Sequence, residues 1–585
     1  MHIVKKIISG KEYYYLNKSV REGDKVRSKN VAYLGKDREE AEKKKIEIEV
    51  RIKMEEENKK MTEDVKEIKE SVEDREKSKE INSGETKDFI SFVQEAGLIW
   101  GPSPEIYGGL AGFYTYGPLG KLLKNKVENS VRKSFNVNGF RELEGPTVLP
   151  DSVWKASGHL ETFNDRIIKC SKCKSVFRAD KLIEEKYDVP ADSFSDKKIL
   201  DFIEENKIVC PSCKGFLEKS IDTQSLMMKT VVAGQEASLR PETATVTYLP
   251  YNRFYNYFRK KLPLGVFQIG KAYRNEISPR QSVLRGREFT QAEGQIFVDP
   301  NEKNNWDKYD GIKNEKLPFW DSDSQTYNKK VEVITIENAL ERGLIKSQVY
   351  GWCIWLAYTQ FRNFGIPEER IRLRQHHPDE KAFYADDAWD IEIKLNNYGW
   401  TETCGVHDRT NYDLTQHSKS SGVKLEAARE NGEKFIPHVL EIAFGTDRPT
   451  YALIDLFYEK KEEEEGKSMF KIPYNMAPID VSIFPLTKKP ELLKVSQGVK
   501  EDLEKEFIVE YDISGSIGKR YWRSSISGVP FAITIDFDSL ESNDVTVRDR
   551  DSEKQIRVKI KDLKEILRKL INREIDFEKA GKLVK

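Results

Sequence analysis

Four arginines stand in one stretch, FQIGKAYRNEISPRQSVLRGREFTQAEGQIF (267–297), together with Glu276 and Glu293. The ends of the stretch are apolar strand material, and Ser278-Pro279 marks a loop in its polar middle. Two antiparallel strands joined there would bring Arg274, Glu276, Arg287 and Glu293 towards one surface. A guanidinium is planar and donates paired, charge-assisted bonds, so arginines so grouped suit phosphate; a surface salt-bridge ladder is the plainer alternative. In PHVLEIAFGTDRPTYALI (437–454) a strand ends at Phe444-Gly445 and a helix starts with Asp447-Arg448. Such an arginine is usually structural, but after a strand and a glycine it can also lie flat on an adenine ring. Cys170-Ser-Lys-Cys173 and Cys210-Pro-Ser-Cys213, with 36 residues between them, offer four thiolates. Paired CxxC turns aim both sulfurs at one tetrahedral ion, and a closed four-cysteine shell is structural. Zinc is the expected metal, with metal-free thiols and an iron–sulfur cluster as alternatives. Cys353 and Cys404 lie in apolar surroundings and read as buried thiols.

The elements that hold these residues follow from pattern. Residues 1–37 read as a basic hairpin, KEYYYLNKSV and KVRSKNVAYL, turning at Glu22-Gly23-Asp24. Residues 38–85 are nearly all charged and read as a helical arm, either a solvated linker or an RNA-touching appendage. Globular sequence starts near Phe89. GGLAGFYTYGPLG is a glycine-rich loop without the GK[ST] of a phosphate loop, so a nucleotide must be held some other way. A helix is expected over 121–135, then the strand FRELEGPTVLP. Residues 166–222 look inserted. Strands return at 265–298, a helix at 347–364, and further strands run to Leu453. KKEEEEGKS (460–468) reads as a charged linker. From Ala477 a βα alternation marks a domain of about 110 residues, within the usual domain range. The domains expected are therefore 1–85, 86–470 with the 166–222 insert, and 471–585.

A hydrophobic fraction of 38% excludes a globally disordered chain. Lys+Arg and Asp+Glu both number 98, so any nucleic-acid contact must come from local basic patches. No run is long and apolar enough to span a membrane, and MHIVKKIISG lacks a signal-peptide core. A cytoplasmic protein with no membrane partner is expected.

The two arginine-bearing stretches resemble motifs 2 and 3 of class II aminoacyl-tRNA synthetases, and the Leu119–Phe135 helix with the strand ending at Pro146 resembles motif 1. Further phrases narrow the family: IYGGLAGFYTYGPLG, SGHLETFND, FRADKL, LRPETA, RLRQH, DAWDIE, GWTETCGVHDRTNYDL and SGSIGKRYW are similar to the dimeric glycyl-tRNA synthetases of archaea and eukaryotes. The resemblance runs from Phe89 to Leu570. It implies an α+β protein: a class II antiparallel-sheet catalytic core with a zinc-binding insert, an α/β anticodon-binding domain and the charged N-terminal arm. It implies ATP as substrate, Mg²⁺, structural Zn²⁺ on Cys170, Cys173, Cys210 and Cys213, glycine and tRNA(Gly) as partners, and a homodimer built on motif 1.

The same resemblance assigns roles position by position. Arg274, beside Asn275, grips the α-phosphate. Glu276 accepts from the adenine amino group, Arg285 reaches the outer phosphates, and Phe289 stacks under adenine. Arg448 covers the other face, and Glu402 and Thr403 stand near ATP and a divalent ion. Arg274, Glu276, Arg285 and Arg448 form the catalytic set. Glycine is read by Glu242, Glu293 and Glu441, with Arg409 and Ala443 in its pocket. Amino-acid activation needs positioning and charge neutralisation more than a general base, so the lack of a nucleophile–histidine pair is no objection. Nothing proteinogenic is smaller than glycine, so no editing domain is needed. Lys519, Arg520, Arg523, Arg548 and Arg550 give the C-terminal domain local positive charge, and single-stranded anticodon bases would be read there by stacking and edge hydrogen bonds. Ala443 departs from the family, which carries serine there. A synthetase-like binding protein without catalysis, and a prolyl or threonyl enzyme, are the rival readings; the first usually loses the motif arginines, which stand here.

Overall fold

The computed structural model describes all residues except 9–10, 23–24, 47, 49–82, 185, 188, 190, 192–193, 278, 280, 328, 379, 382–384, 461–467 and 585. The chain divides into two compact units: residues 1–83 with 183–189, and the remainder.

In the first unit β1 (His2–Ile8), β2 (Lys11–Glu22) and β3 (Lys25–Gly35) form an antiparallel meander, one strand more than the hairpin read from sequence. Alternation explains it: Tyr14, Leu16 and Leu34 are buried on one face with Ala41, and Ile3 of the extra strand packs against them. Residues 38–46 are helical, as the charged composition predicts; most of the remaining arm, 49–82, lies outside the described residues.

In the second unit helix α1 (Pro118–Val137) starts with proline in its first turn, where the missing N–H costs nothing. Leu119, Leu123, Val127, Val131 and Phe135 recur every fourth residue and are all buried. Each contributes about 1.5–3 kcal/mol on burial. That stripe packs on a nine-stranded sheet whose members are β4 (Arg141–Glu142), β5 (Leu264–Tyr273), β6 (Glu288–Val298), β7 (Lys316–Trp320), β8 (Glu332–Thr335), β9 (Ile371–Gln375), β10 (Asp387–Leu395), β11 (Gly399–Thr410) and β12 (His438–Gly445). Their order is β8-β7-β9-β10-β11-β12-β6-β5-β4, and every pair is antiparallel except β7 with β9 and β4 with β5. Helix α2 (Gln348–Asn363) covers the same core, its Tyr350 hydroxyl donating to Val406 O at 2.8 Å. A helix that the sequence reading missed, α3 (Tyr412–Ser421), follows β11, and α4 (Asp447–Phe457) follows β12.

Most of the segment read as a charged linker, 461–467, lies outside the described residues. Tyr458–Lys460 pairs antiparallel with Ser468–Phe470. The C-terminal sheet contains β13 (Val481–Pro485), β14 (Val509–Tyr511), β15 (Phe531–Ile535), β16 (Asp544–Asp549), β17 (Gln555–Lys559) and β18 (Lys582–Leu583) in the order β14-β13-β15-β16-β17-β18. Apolar runs such as FAITI are buried throughout because helices cover the sheet. Most of the arginines read there as positive charge are engaged by protein partners. Arg520 is buried and donates to Pro485 O and Leu486 O, and Arg550 donates to Gly528 O and Ile472 O. Arg523 pairs with Asp512 and Arg548 with Glu553, while Lys519 is exposed. Among the described residues, no helix is long and apolar enough to cross a membrane.

Candidate active site

Three neighbouring strands build the floor of the site. Pairing sets Glu293 of β6 opposite Ala443 of β12, and Ala443 opposite Gly405 of β11. The next row is Gln295, Glu441 and His407. Strand β11 reaches this alignment through a bulge. Glu402 pairs with Glu392 and Cys404 with Ile391, so Thr403 is an extra residue. Strict alternation would set Glu402 on the face opposite Gly405, His407 and Arg409; one inserted residue puts all four on the same cavity. That cavity measures about 260 Å³, and Glu242, Arg274, Glu276, Arg285, Phe289, Glu293, Arg448 and the floor residues line it.

At one end lie the arginines. Arg274 donates from Nε to Pro241 O at 3.0 Å, and its guanidinium sits 5.3 Å from the Phe289 ring and 5.4 Å from that of Phe163. Backbone N–H of Asn275 donates to Leu226 O at 2.8 Å, pinning the start of the loop. Arg285 donates from Nε to Glu276 Oε2 at 2.8 Å. Arg287 is not a cavity ligand: it clamps the loop through Glu276 O at 3.0 Å and Ala111 O at 3.1 Å. The glycine-rich loop explains itself here. Gly112 has φ +83°, and a Cβ on it would meet Pro279 and Arg287 at 2.8–2.9 Å, so this loop braces the arginine hairpin. Arg448 donates to Glu402 O at 3.0 Å and pairs with the Glu402 carboxylate at 3.1 Å, which holds that carboxyl below its ordinary range. The Thr403 hydroxyl is committed to Ile391 O at 2.7 Å, so Thr403 contributes shape and backbone to the cavity.

At the other end lie buried carboxylates. Glu293 Oε2 accepts from Thr243 N at 2.9 Å and Thr243 Oγ1 at 2.6 Å. Burial, with Glu441 and Glu242 nearby, raises its carboxyl to about 8. Burial would likewise raise Glu242, but His159, Arg409 and Thr245 more than offset it and hold that group well below its usual range. Arg409 is doubly bonded to Asp413 at 2.8 and 2.9 Å, and its Nη1 faces Glu441 at 3.4 Å. Glu441 also meets His407 Nδ1 at 3.1 Å and Tyr248 OH at 3.2 Å. Gly405 is needed for this packing, since a Cβ there would lie 2.6 Å from the His407 ring.

Sequence reasoning did not single out the network beneath the cavity. Lys124 of α1 donates to Thr290 Oγ1 at 2.8 Å and to Asp447 of α4; Asp447 also accepts from Thr290 N at 2.6 Å and Tyr116 OH at 2.7 Å. One buried carboxylate thus ties the first helix, the glycine-rich loop, β6 and α4. Removing a partner would strand a buried charge, a cost of about 3–5 kcal/mol. Its only sequence signal was an aspartate in the first turn of a helix. Arg240 was equally silent: its side chain donates to Gly145 O at 2.9 Å and Lys271 O at 2.7 Å, tying the segment after β4 to β5.

The four cysteines converge away from the cavity. Cys170 Sγ lies 3.5 Å from Cys213 Sγ, and Cys173 Sγ lies 3.6 Å from Cys210 Sγ. Zn–S bonds of about 2.3 Å in a tetrahedron separate sulfurs by about 3.8 Å, so the donor set fits zinc. Both turns share one form: Lys174 N donates to Cys170 O and Lys214 N to Cys210 O, each lysine with φ near +60°. Gly215 passes close by, where a Cβ would meet Cys213 Sγ at 3.2 Å and Cys170 Sγ at 3.4 Å.

The family described as tRNA synthetase class II core domain (G, H, P, S and T) matches residues 232–457, and the anticodon binding domain family matches 480–570. A glycine--tRNA ligase of Methanococcus maripaludis is 37% identical over 81% of this chain and 98% of its own length. One of Thermococcus kodakarensis is 37% identical over 83% of this chain and 99% of its own. The solved prolyl-tRNA synthetase of Cryptosporidium parvum, complexed with halofuginone and AMPPNP, superposes with a TM-score of 0.50 at 14% identity. That likeness covers 83% of this chain and 77% of the other, and it concerns the fold alone.

Proposed function

The chain belongs to the glycine--tRNA ligase family, and from that premise we propose that it activates glycine with ATP in this cavity and transfers it to the 3′ end of tRNA(Gly). One observation carries the reading. A floor of Gly405 and Ala443 flanked by buried Glu293 and Glu441 opens into the same cavity as Arg274, Arg285 and Arg448. The small floor admits a small amino acid, carboxylates suit its ammonium, and guanidinium groups suit the triphosphate. In activation a glycine carboxylate oxygen bonds the α-phosphorus while the bond to pyrophosphate breaks. Arg274 neutralises the α-phosphate, Arg285 the outer phosphates, and the Phe289 and Arg448 planes hold the adenine between them. Glu276 accepts from the adenine amino group. Glu402 would hold Mg²⁺, which would supply further charge neutralisation when bound. ATP–pyrophosphate exchange across the proteinogenic amino acids tests the reading: exchange with glycine alone is expected, and exchange with proline or threonine but not glycine overturns it.

The Ala443 departure is expected to matter little. A serine hydroxyl at the centre of the row adds at most one hydrogen bond, about 0.5–1.5 kcal/mol. Ala443→Ser therefore changes glycine kcat/KM by about tenfold or less. Alanine stays a very poor substrate of the native enzyme because its methyl meets the packed floor and the His407 ring. Exchange rates with both amino acids on both proteins check this.

The cysteine set is assigned one structural zinc per chain, and α1 the dimer contact; the loop before α1 exposes Ile106 and Tyr107, apolar surface that a second subunit would cover. Because metal affinity becomes folding free energy, Cys170→Ser is expected to destabilise the insert while ATP binding persists. Elemental analysis finding no zinc in reduced native protein would remove the assignment, and sedimentation of the native chain as a monomer would remove the dimer.

A further inference from the structure

Two strand side chains and one from the residue just past a neighbouring strand converge beside the amino-acid end of the cavity. His376 follows β9, its backbone N–H donating to Ala388 O at 3.0 Å. Asp390 lies in β10 opposite Gly405, and His407 in β11 opposite Ala388. Each offers a ligand atom within 4.8 Å of the others. His376 Nε2 stands 2.8 Å from Asp390 Oδ2. His407 is held at the other ring nitrogen, its Nδ1 lying 3.1 Å from Glu441 Oε1. With Nδ1–H donating to that carboxylate, the Nε2 lone pair is left for a cation, the carboxylate–histidine–metal arrangement that fixes tautomer and ring. The rings are 77° apart with centroids separated by 6.1 Å. All three ligands stand on paired backbone, so the group is preorganised.

From this we propose that His376, Asp390 and His407 form a second metal site, separate from the four cysteines, for a borderline divalent transition cation such as Zn²⁺ or Co²⁺. Two imidazoles and one carboxylate favour such ions over Mg²⁺ and Ca²⁺, which prefer oxygen alone. The surrounding charge agrees. Glu441 backs His407, Glu402 acts on Asp390, and the nearest competing cation, Arg374 at 3.8 Å from Asp390 Oδ2, is doubly bonded to Glu380 at 3.0 and 2.7 Å. Three protein ligands leave a fourth position for water or another small ligand, and His407 itself lines the cavity, so the ion would stand at the wall of the amino-acid pocket. Without a metal the proton between His376 and Asp390 takes the ion's place, and the experiment decides between the two.

Full-length protein is loaded with zinc at its cysteines, freed of excess metal and titrated with Co²⁺. Saturating visible d–d absorption without sulfur-to-cobalt charge transfer is expected from a nitrogen and oxygen site. His376→Ala and His407→Ala should each weaken cobalt binding about tenfold or more. His407→Gln, which keeps a polar partner for Glu441, guards against a folding defect and should lose cobalt as the alanine variant does. No absorption up to millimolar cobalt overturns the site, as does native affinity in both histidine variants. Charge-transfer absorption alone places cobalt at the cysteines only and overturns it equally.

Discussion

Arg274→Ala is expected to lower glycine-dependent pyrophosphate exchange by about 30- to 1,000-fold in kcat/KM, equivalent to about 2–4 kcal/mol of transition-state stabilisation. The size follows from how the residue is held. Its Nε is fixed on Pro241 O and its guanidinium sits 5.3 Å from the Phe289 ring and 5.4 Å from that of Phe163, so the group is held in place before ATP arrives. A preorganised donor costs no rearrangement when charge develops on the α-phosphate. Arg274→Lys is expected to recover only a small part of the loss. The ammonium keeps the charge but cannot hold Pro241 O with one nitrogen while donating to phosphate from two others in a fixed plane. If positive charge alone mattered, lysine would restore most of the rate. Near-native exchange in the alanine variant would remove Arg274 from the phosphate site altogether.

The arginine hairpin was legible because its signals are local. Apolar runs at both ends and Ser278-Pro279 between them specify two antiparallel strands, and β5 and β6 pair through all ten residues from Leu264–Phe297 to Tyr273–Glu288. The short strands that flank the charged stretch 461–467 were hidden for the converse reason. Its composition hides the short strand ends at Tyr458–Lys460 and Ser468–Phe470, whose pairing is a property of the fold. The bulge at Thr403 has no local signature either, yet it brings Glu402 onto the face of Gly405, His407 and Arg409. Partnership was hidden again at Arg520 and Arg550. An arginine in a basic phrase looks free to meet RNA until the carbonyls that surround it are seen. Lys124 and Asp447 lie 323 positions apart, so their ion pair is visible only once α1 and α4 are packed.

Glycine affinity is expected to strengthen as pH rises from 6 to 8, by up to about tenfold per unit, because Glu293 must lose a proton to pair with the ammonium. In the empty pocket this carboxyl is raised to about 8, through burial and the neighbouring Glu441 and Glu242. Near neutrality it therefore holds a proton that an unfolded glutamate would have lost. For the free protein the consequence is a stability contribution present at low pH and lost as pH rises from the ordinary glutamate range through about 8. Glycine reverses the preference: its ammonium favours the ionised form, so binding below about 8 releases a proton, and the affinity falls as pH falls. Glu293→Gln imitates the protonated carboxyl and retains an oxygen for Thr243. Its glycine affinity should trail that of the native protein by about 2–5 kcal/mol where Glu293 is ionised. The gap should close towards pH 6, where the native residue is itself neutral. Titration calorimetry in two buffers of different ionisation enthalpy reads the proton directly, and any pH dependence common to both proteins belongs to other groups. A native affinity that is flat between pH 6 and 8, with no dependence on buffer, would show that Glu293 is already ionised in the empty pocket.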